Sequence, residues 1–457
     1  VKSGVDVNRV NENGGTPLYI ASLRGHQEVV EYLCTVGAEI NRADNQGGTP
    51  LYAASFNGHE IVVEYLVTIG AEINRSDDYG ATPLILACVK GHDKVVEYLT
   101  KTGAEVNRAN KDGVSPLFAA SFNGHGKIVE YLTTIGAEIN AASNDGRTPL
   151  FAASYKGHEK FVDYLSTLSA EINRVDDNGT TPLIVAASKG HEEVVKCLAK
   201  AGAEINRATN DGATPLIAAS LSGHEQVVEY LTTVGAEINS ADNDGRTPLY
   251  AASINGHDTV VEYLATVGAE INRADNEGRT PLYVASMNGH KKVVEDLATV
   301  RAEIDHANKD GATPLYVASR NGHEEVVEYL ATVGADVNFV AKDGGTPLYA
   351  AAVNGHEKTV EYLATHGAKV NHVHSDGTTP LVMASFKGNG KVVESLVKVG
   401  AEINLAANEY TTPIIAASIN GHKQVVQYLK TVGAEINRAD SGDRTPLHLA
   451  SYKGHDK

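Results

Sequence analysis

Cysteine is scarce in this sequence, with three residues in 457. Cys34, Cys88 and Cys197 fall in different units of a recurring pattern and in different slots of that unit. Cys34 and Cys88 lie two units apart, ~20 Å at ordinary helix spacing, whereas a disulfide needs Cα atoms within ~7 Å. Free thiols are expected, which suits a reducing, intracellular and cytoplasmic setting. No run is long and apolar enough to span a bilayer, and no signal peptide is visible. Basic residues are also in deficit: 39 Lys and Arg against 57 Asp and Glu leave a net charge of −18. Such a chain is a poor electrostatic match for nucleic acid or an anionic membrane. No G-x-S-x-G, phosphate-binding loop, kinase, zinc-protease or Cys-x-x-Cys pattern occurs, so no catalytic residue and no cofactor is assigned.

Proline is absent everywhere except one slot. All fourteen prolines follow Thr or Ser in the same position, as in Thr16-Pro17-Leu18, Thr49-Pro50-Leu51 and Ser115-Pro116-Leu117, onward to Thr445-Pro446-Leu447. The spacing is 33 residues throughout, without insertion or deletion. A fixed period of this length signals stacked repeats, each too small to bury its own apolar face.

One unit, from Asp44 to Ser76, shows the local logic. Thr49 before Pro50 is a helix start, because the hydroxyl accepts from an unpaired N–H and proline suits the first helical position. Leu51, Ala54 and Ser55 fall on one side of a short helix running to about Asn57, and Gly58 stops it. Val62, Val63, Leu66 and Ile69 recur at helical spacing and predict a second helix over 60–68, ended by Gly70. Ala71-Glu72-Ile73-Asn74 reads as extended, and 77–80 as a tight turn. The fold class is therefore all-α: helix, turn, helix, then a hairpin-like loop into the next pair.

The pattern TPLYAAS-x-NGH-x-x-VVEYL-x-T-x-GAEINRAD resembles the ankyrin repeat and covers essentially the whole chain. The resemblance implies a solenoid that binds proteins through its concave face and loop tips. One departure is systematic: the His expected after Thr-Pro-Leu is replaced by residues such as Tyr52, Ile85 and Phe118, and only His448 keeps it. In the family that His helps to hold the loops, so loop geometry is less determined here than the helix stack. The resemblance also permits hydroxylation of a loop asparagine such as Asn74, eight residues after Leu66.

Residues 11–439 divide into thirteen complete units, preceded by the tail of a unit in 1–10 and followed by a truncated fourteenth in 440–457. The expected object is one elongated, monomeric array, itself a piece of a longer one. Its departures from pattern are the informative positions, with softer junctions expected at Ser169 and Arg301. Ser169 and Arg301 stand where a glycine ends the second helix, Tyr410 and Asp443 replace a turn glycine, and Asn389 replaces the His of Gly-His. Asp296 and Ser395 replace the Tyr of Val-Val-Glu-Tyr-Leu. Amide exchange is expected to be faster around Ser169, Arg301 and Asn408–Thr411 than within 242–274.

Thirteen of the eighteen histidines occupy the Gly-His slot. Equivalent side chains stand a helix spacing apart, too far to share a metal whose ligands lie ~2 Å away, so these are structural. His366, His372 and His374 cluster separately, as ordinary loop histidines or as a metal or pH-sensing group. No metal ligand is assigned.

Against the constant frame, two slots vary most: the loop tip before Thr-Pro-Leu and the helix end before Gly-His. The resemblance places both on the partner-gripping face. Phe56, Phe122, Tyr155 and Met287 would supply apolar anchors there, and Arg147, Arg246, Arg279 and Arg320 charge-assisted contacts. The apolar members could equally seal the edge of the core. The repeated acids, such as Glu31, Glu64 and Glu72, form either a solvated face or a stripe that steers a basic partner. Three functional readings stay open: a non-enzymatic scaffold for partner proteins, the recognition arm of a larger enzyme, channel or toxin, and an elastic spacer.

Overall fold

Each proline opens a helix. In the computed structural model, which describes residues 5–406 and 411–455, the Thr49 hydroxyl accepts from the Tyr52 N–H at 3.2 Å and Pro50 occupies the first turn. The helix Pro50–Phe56 buries Leu51, Ala53, Ala54 and Ser55, small residues that allow close approach of the neighbouring helix. Gly58 then takes φ 73°, and the second helix runs Glu60–Thr68 with Val62, Val63 and Leu66 buried. Among the described residues this pair recurs as 27 helices, and there is no strand.

The chain forms two compact units, residues 1–219 with 226–236, and residues 220–225 with 237–457. Within the first, first helices such as Pro83–Lys90, Pro116–Asn123 and Pro149–Lys156 pack side by side, and the second helices form a parallel layer. The second is built in the same way, from Pro248–Asn255 through Pro446–Tyr452. Burial is shared evenly among repeats, so each unit has a ribbon of core and no single centre.

The segment Ala71–Asn74 corrects an expectation. It is not extended: Arg75 N–H donates to Glu72 O at 3.2 Å, closing a turn. The reason lies in Asn74, whose Nδ2 donates to Gly103 O at 3.1 Å while its Oδ1 accepts from Glu105 N–H at 2.9 Å. The turn aims each asparagine at the next repeat. Asn41, Asn107, Asn140 and Asn173 do the same in the first unit.

The tight turn at 77–80 is present, with Gly80 N–H donating to Asp77 O and Asp77 N–H to Ala81 O, both at 3.0 Å. Consecutive loops share one backbone bond, such as Asp78 N–H to Gln46 O at 2.8 Å. The tyrosine that replaces the loop-holding histidine supplies a substitute bond. Tyr52 Oη donates to Asp77 Oδ2 at 2.7 Å, and Tyr250 Oη to Asp275 Oδ2 at 2.8 Å. His448 instead closes its own helix start, in a capping box with Thr445.

Ser169 and Arg301 adopt φ 68° and 70°, the left-handed conformation that costs a non-glycine residue about 1–2 kcal/mol. Asp443 does so at φ 58°. Tyr410, and with it most of the Asn408–Thr411 stretch expected to exchange faster, lies outside the described residues. Ser395 compensates for its missing ring by donating from Oγ to Glu361 Oε1 at 2.7 Å, and Asp296 accepts from Lys292 Nζ at 2.6 Å.

Candidate functional site

The structural histidines and the variable helix ends meet at the same atoms. His92 Nε2 donates to Phe56 O at 3.0 Å, His158 Nε2 to Phe122 O at 3.2 Å, and His191 Nε2 to Tyr155 O at 3.0 Å. His323 holds Met287 O at 2.9 Å and His356 holds Arg320 O at 2.9 Å. Each histidine thus clamps the backbone of the preceding repeat at the residue whose side chain was singled out for contact. Asn389 keeps the function without the ring, donating from Nδ2 to Ala352 O and Val353 O at 3.0 and 3.1 Å.

In the first unit these clamped residues carry an aromatic ladder. Phe122 stacks on Tyr155 with ring centroids 6.1 Å apart and planes 14° from parallel, and Phe118 stacks on Phe122 at 6.4 Å. Tyr155 is 38% exposed, and Phe56 and Phe122 are half-buried. Lysines cover the rings: Lys90 Nζ lies 4.5 Å from the Phe56 centroid, Lys156 Nζ 4.5 Å from Phe122, and Lys189 Nζ 5.1 Å from Tyr155. Exposed contacts of this kind contribute ~0.5–1 kcal/mol each. Sequence reasoning missed these lysines. Their signal was the slot after the variable one, which reads Arg24, Asn57, Lys90, Asn123, Lys156 and Lys189 in this unit.

Three of the four arginines behave differently, because each has an acidic partner nearby. Arg147 pairs with Asp145 at 3.0 Å and lies 3.7 Å from Asp176, whose side chain is almost wholly buried. Arg246 pairs with Asp244. Arg279 binds Asp275 through Nε at 2.7 Å, in the buried network that also receives the Tyr250 hydroxyl. These three therefore stiffen loops as well as lining the surface. Arg320 is exposed, whereas Met287 is half-buried against the cluster of Tyr250, Tyr283 and Val317 and closes the edge of the core. The eight candidates divide between the two units: Phe56, Phe122, Tyr155 and Arg147 belong to the first, the rest to the second.

His366, His372 and His374 are held separately. His366 stacks on Tyr362 at 3.9 Å, His372 Nε2 donates to Gly344 O at 3.1 Å, and His374 stacks on Tyr349 at 4.5 Å. Among the described residues no three His, Cys, Asp or Glu side chains converge as metal ligands. All three cysteines are free, and burial pushes the Cys88 thiol well above its usual range. No helix among the described residues is long and apolar enough to cross a membrane.

A family model described as ankyrin repeats (3 copies) matches residues 1–77, 63–143, 135–209, 207–275, 266–341, 332–407 and 405–457, end to end along the chain. No curated protein matches it.

Proposed function

The chain belongs to the ankyrin-repeat family, and we propose that it is a non-enzymatic scaffold whose first-helix ends and loop tips dock partner proteins. Ankyrin repeats in general are protein–protein interaction modules. The observation that supports a docking face here is the solvent-facing stack of Phe122 and Tyr155, carried on backbone that the next repeat clamps through His158 and His191. Aromatic side chains fixed in this way lose little conformational entropy on binding and are typical interface anchors. The assigned contact residues are Phe56, Phe122 and Tyr155 with Arg147 in the first unit, and Arg246, Arg279, Met287 and Arg320 in the second. The domain reading is thirteen 33-residue repeats over 11–439. Free thiols fit an intracellular, reducing setting.

The test is quantitative affinity capture with the intact chain and with the Phe56→Ala/Phe122→Ala/Tyr155→Ala variant, after matched thermal unfolding of the two. Loss of specific partners from the variant supports docking at this face. An unchanged capture profile with the fold intact removes these residues from the site and favours a spacer or tether.

A further inference from the structure

The helices that carry the docking face contain no acid. From Pro17–Arg24 to Pro446–Tyr452, no first helix includes an Asp or Glu, although the chain as a whole has net charge −18. Acid is confined to the second helices and loops. Several lysines on the second helices are paired: Lys94 with Glu60 at 3.1 Å, Lys101 with Glu97 at 3.2 Å and Lys127 with Asp93 at 3.6 Å. Lys90, Lys156 and Lys189 face aromatic rings instead, and none of the three has an acidic partner among the described residues. Beside them, Arg147 occupies Asp145 and approaches Asp176, and Asp77 is taken by Tyr52 and two backbone N–H groups. Asp77, Asp145 and Asp176 are thus engaged, while the three lysines have no acidic partner among the described residues. His158 titrates below its usual range. Burial is the chief cause, against the raising effect of its bond to Phe122 O, and the charges of Lys156, His191 and His125 add to the lowering.

We propose that this row binds an extended acidic segment of the partner protein, with carboxylates at every third residue; the proposal rests on the docking reading above. Adjacent repeats stand ~8–10 Å apart and an extended chain advances ~3.3 Å per residue, so about three residues span one repeat. Carboxylates at that interval meet Lys156 and Lys189 in neighbouring repeats and Lys90 two repeats earlier. The intervening residues lie along Phe122 and Tyr155. The ring beneath each ammonium contributes no hydrogen-bond acceptor, which leaves the lysine N–H groups for the partner's carboxylates.

Fluorescence anisotropy of a labelled (Glu-Gly-Ser)5 peptide against the full chain tests this. The Lys90→Gln/Lys156→Gln/Lys189→Gln variant should bind about tenfold more weakly, the sum of three modest exposed ion pairs. The Lys94→Gln/Lys101→Gln/Lys127→Gln variant changes net charge equally and should bind as the parent does. Equal weakening in both variants, equal affinity for (Lys-Gly-Ser)5, or no binding of the acidic peptide at about 1 mM overturns the proposal. In each of those cases the docking reading stands or falls separately, on whether Phe122→Ala/Tyr155→Ala releases captured partners.

Discussion

Replacing Gly136 and Gly157 by alanine separates two costs that the same backbone conformation usually combines. Both glycines have positive φ, 92° and 77°, so both substitutions force an L residue into left-handed backbone. That costs about 1–2 kcal/mol, offset by ~0.4–1 kcal/mol because alanine restricts the unfolded chain. At Gly136 nothing lies within 4 Å of the added methyl, so the net loss is about 1 kcal/mol. At Gly157 the methyl would stand 2.7 Å from His191 Nδ1 and 2.8 Å from its Cε1. The ring must move, and with it the 3.0 Å bond to Tyr155 O. Overpacking adds ~1–3 kcal/mol and the lost bond ~0.5–1.5, giving about 4 kcal/mol in total with the backbone cost.

A long array need not unfold in two states, so native-state hydrogen exchange is the suitable assay. Protection at Ala137 N–H should fall about fivefold in Gly136→Ala, and protection at His158 and His191 N–H by a hundredfold or more in Gly157→Ala. Ser169→Gly should move Ala170 N–H the other way by a few-fold, since it relieves the same backbone without touching a ring. Equal losses at Gly136 and Gly157 would refute the reasoning. The chain's own repeats fit it: the Gly-His glycine is kept at all fourteen positions from Gly25 to Gly454, whereas the open slot has lost its glycine at Ser169 and Arg301.

Two further outcomes follow from the cross-repeat bonds. His92→Asn should retain about 1 kcal/mol more local stability than His92→Ala, measured by exchange at Ala87-bonded His92 N–H, because Asn389 shows that an amide can reach the same carbonyls. In alkaline titration followed by phenolate absorbance, Tyr19 and Tyr52 should ionise later than in urea-unfolded chain. Burial leads in both, with the charge of Asp44 next for Tyr19, pushed up to about 12, and the hydrogen bond to Asp77 next for Tyr52. Their folded pKa lies above the unfolded one, so this contribution to stability is complete below about pH 10 and is lost as pH rises further. Superimposable titrations in the two states would contradict it.

The sequence made the helices legible because their determinants are local. Thr49 and Pro50 start a helix whatever lies beside it, and Gly58 and Gly70 stop one, so the second helix was placed over 60–68 as found. The contacts across repeats were not legible, since they depend on the offset between stacked units. Ile73 and Asn74 looked extended because nothing in their own unit shows that Asn74 must reach Gly103 and Glu105. Likewise nothing beside Arg147 shows that Asp176 of the next repeat approaches it, whereas Arg279 meets an aspartate only four residues away, Asp275. A trace was present: Tyr52 and Tyr250 each have an aspartate 25 residues on, whereas Ile85 has Asn110 and Phe118 has Ser143.

Every bond in the asparagine and histidine ladders reaches into the adjacent repeat at a fixed offset, as from Asn74 to Gly103 and Glu105 and from His92 to Phe56, and this makes the length of the molecule an integer variable. Excising residues 77–109 would bring Asn74 to Gly136 and Glu138 in place of Gly103 and Glu105. His125 would meet the carbonyl of Phe56 in place of that of Val89. The same kinds of donor and acceptor would meet, one rung fewer. A gene encoding such a chain can gain or shed whole copies of its 33-codon unit by recombination between like segments and still specify a closed ladder. A cut of any other length would leave a rung without its counterpart.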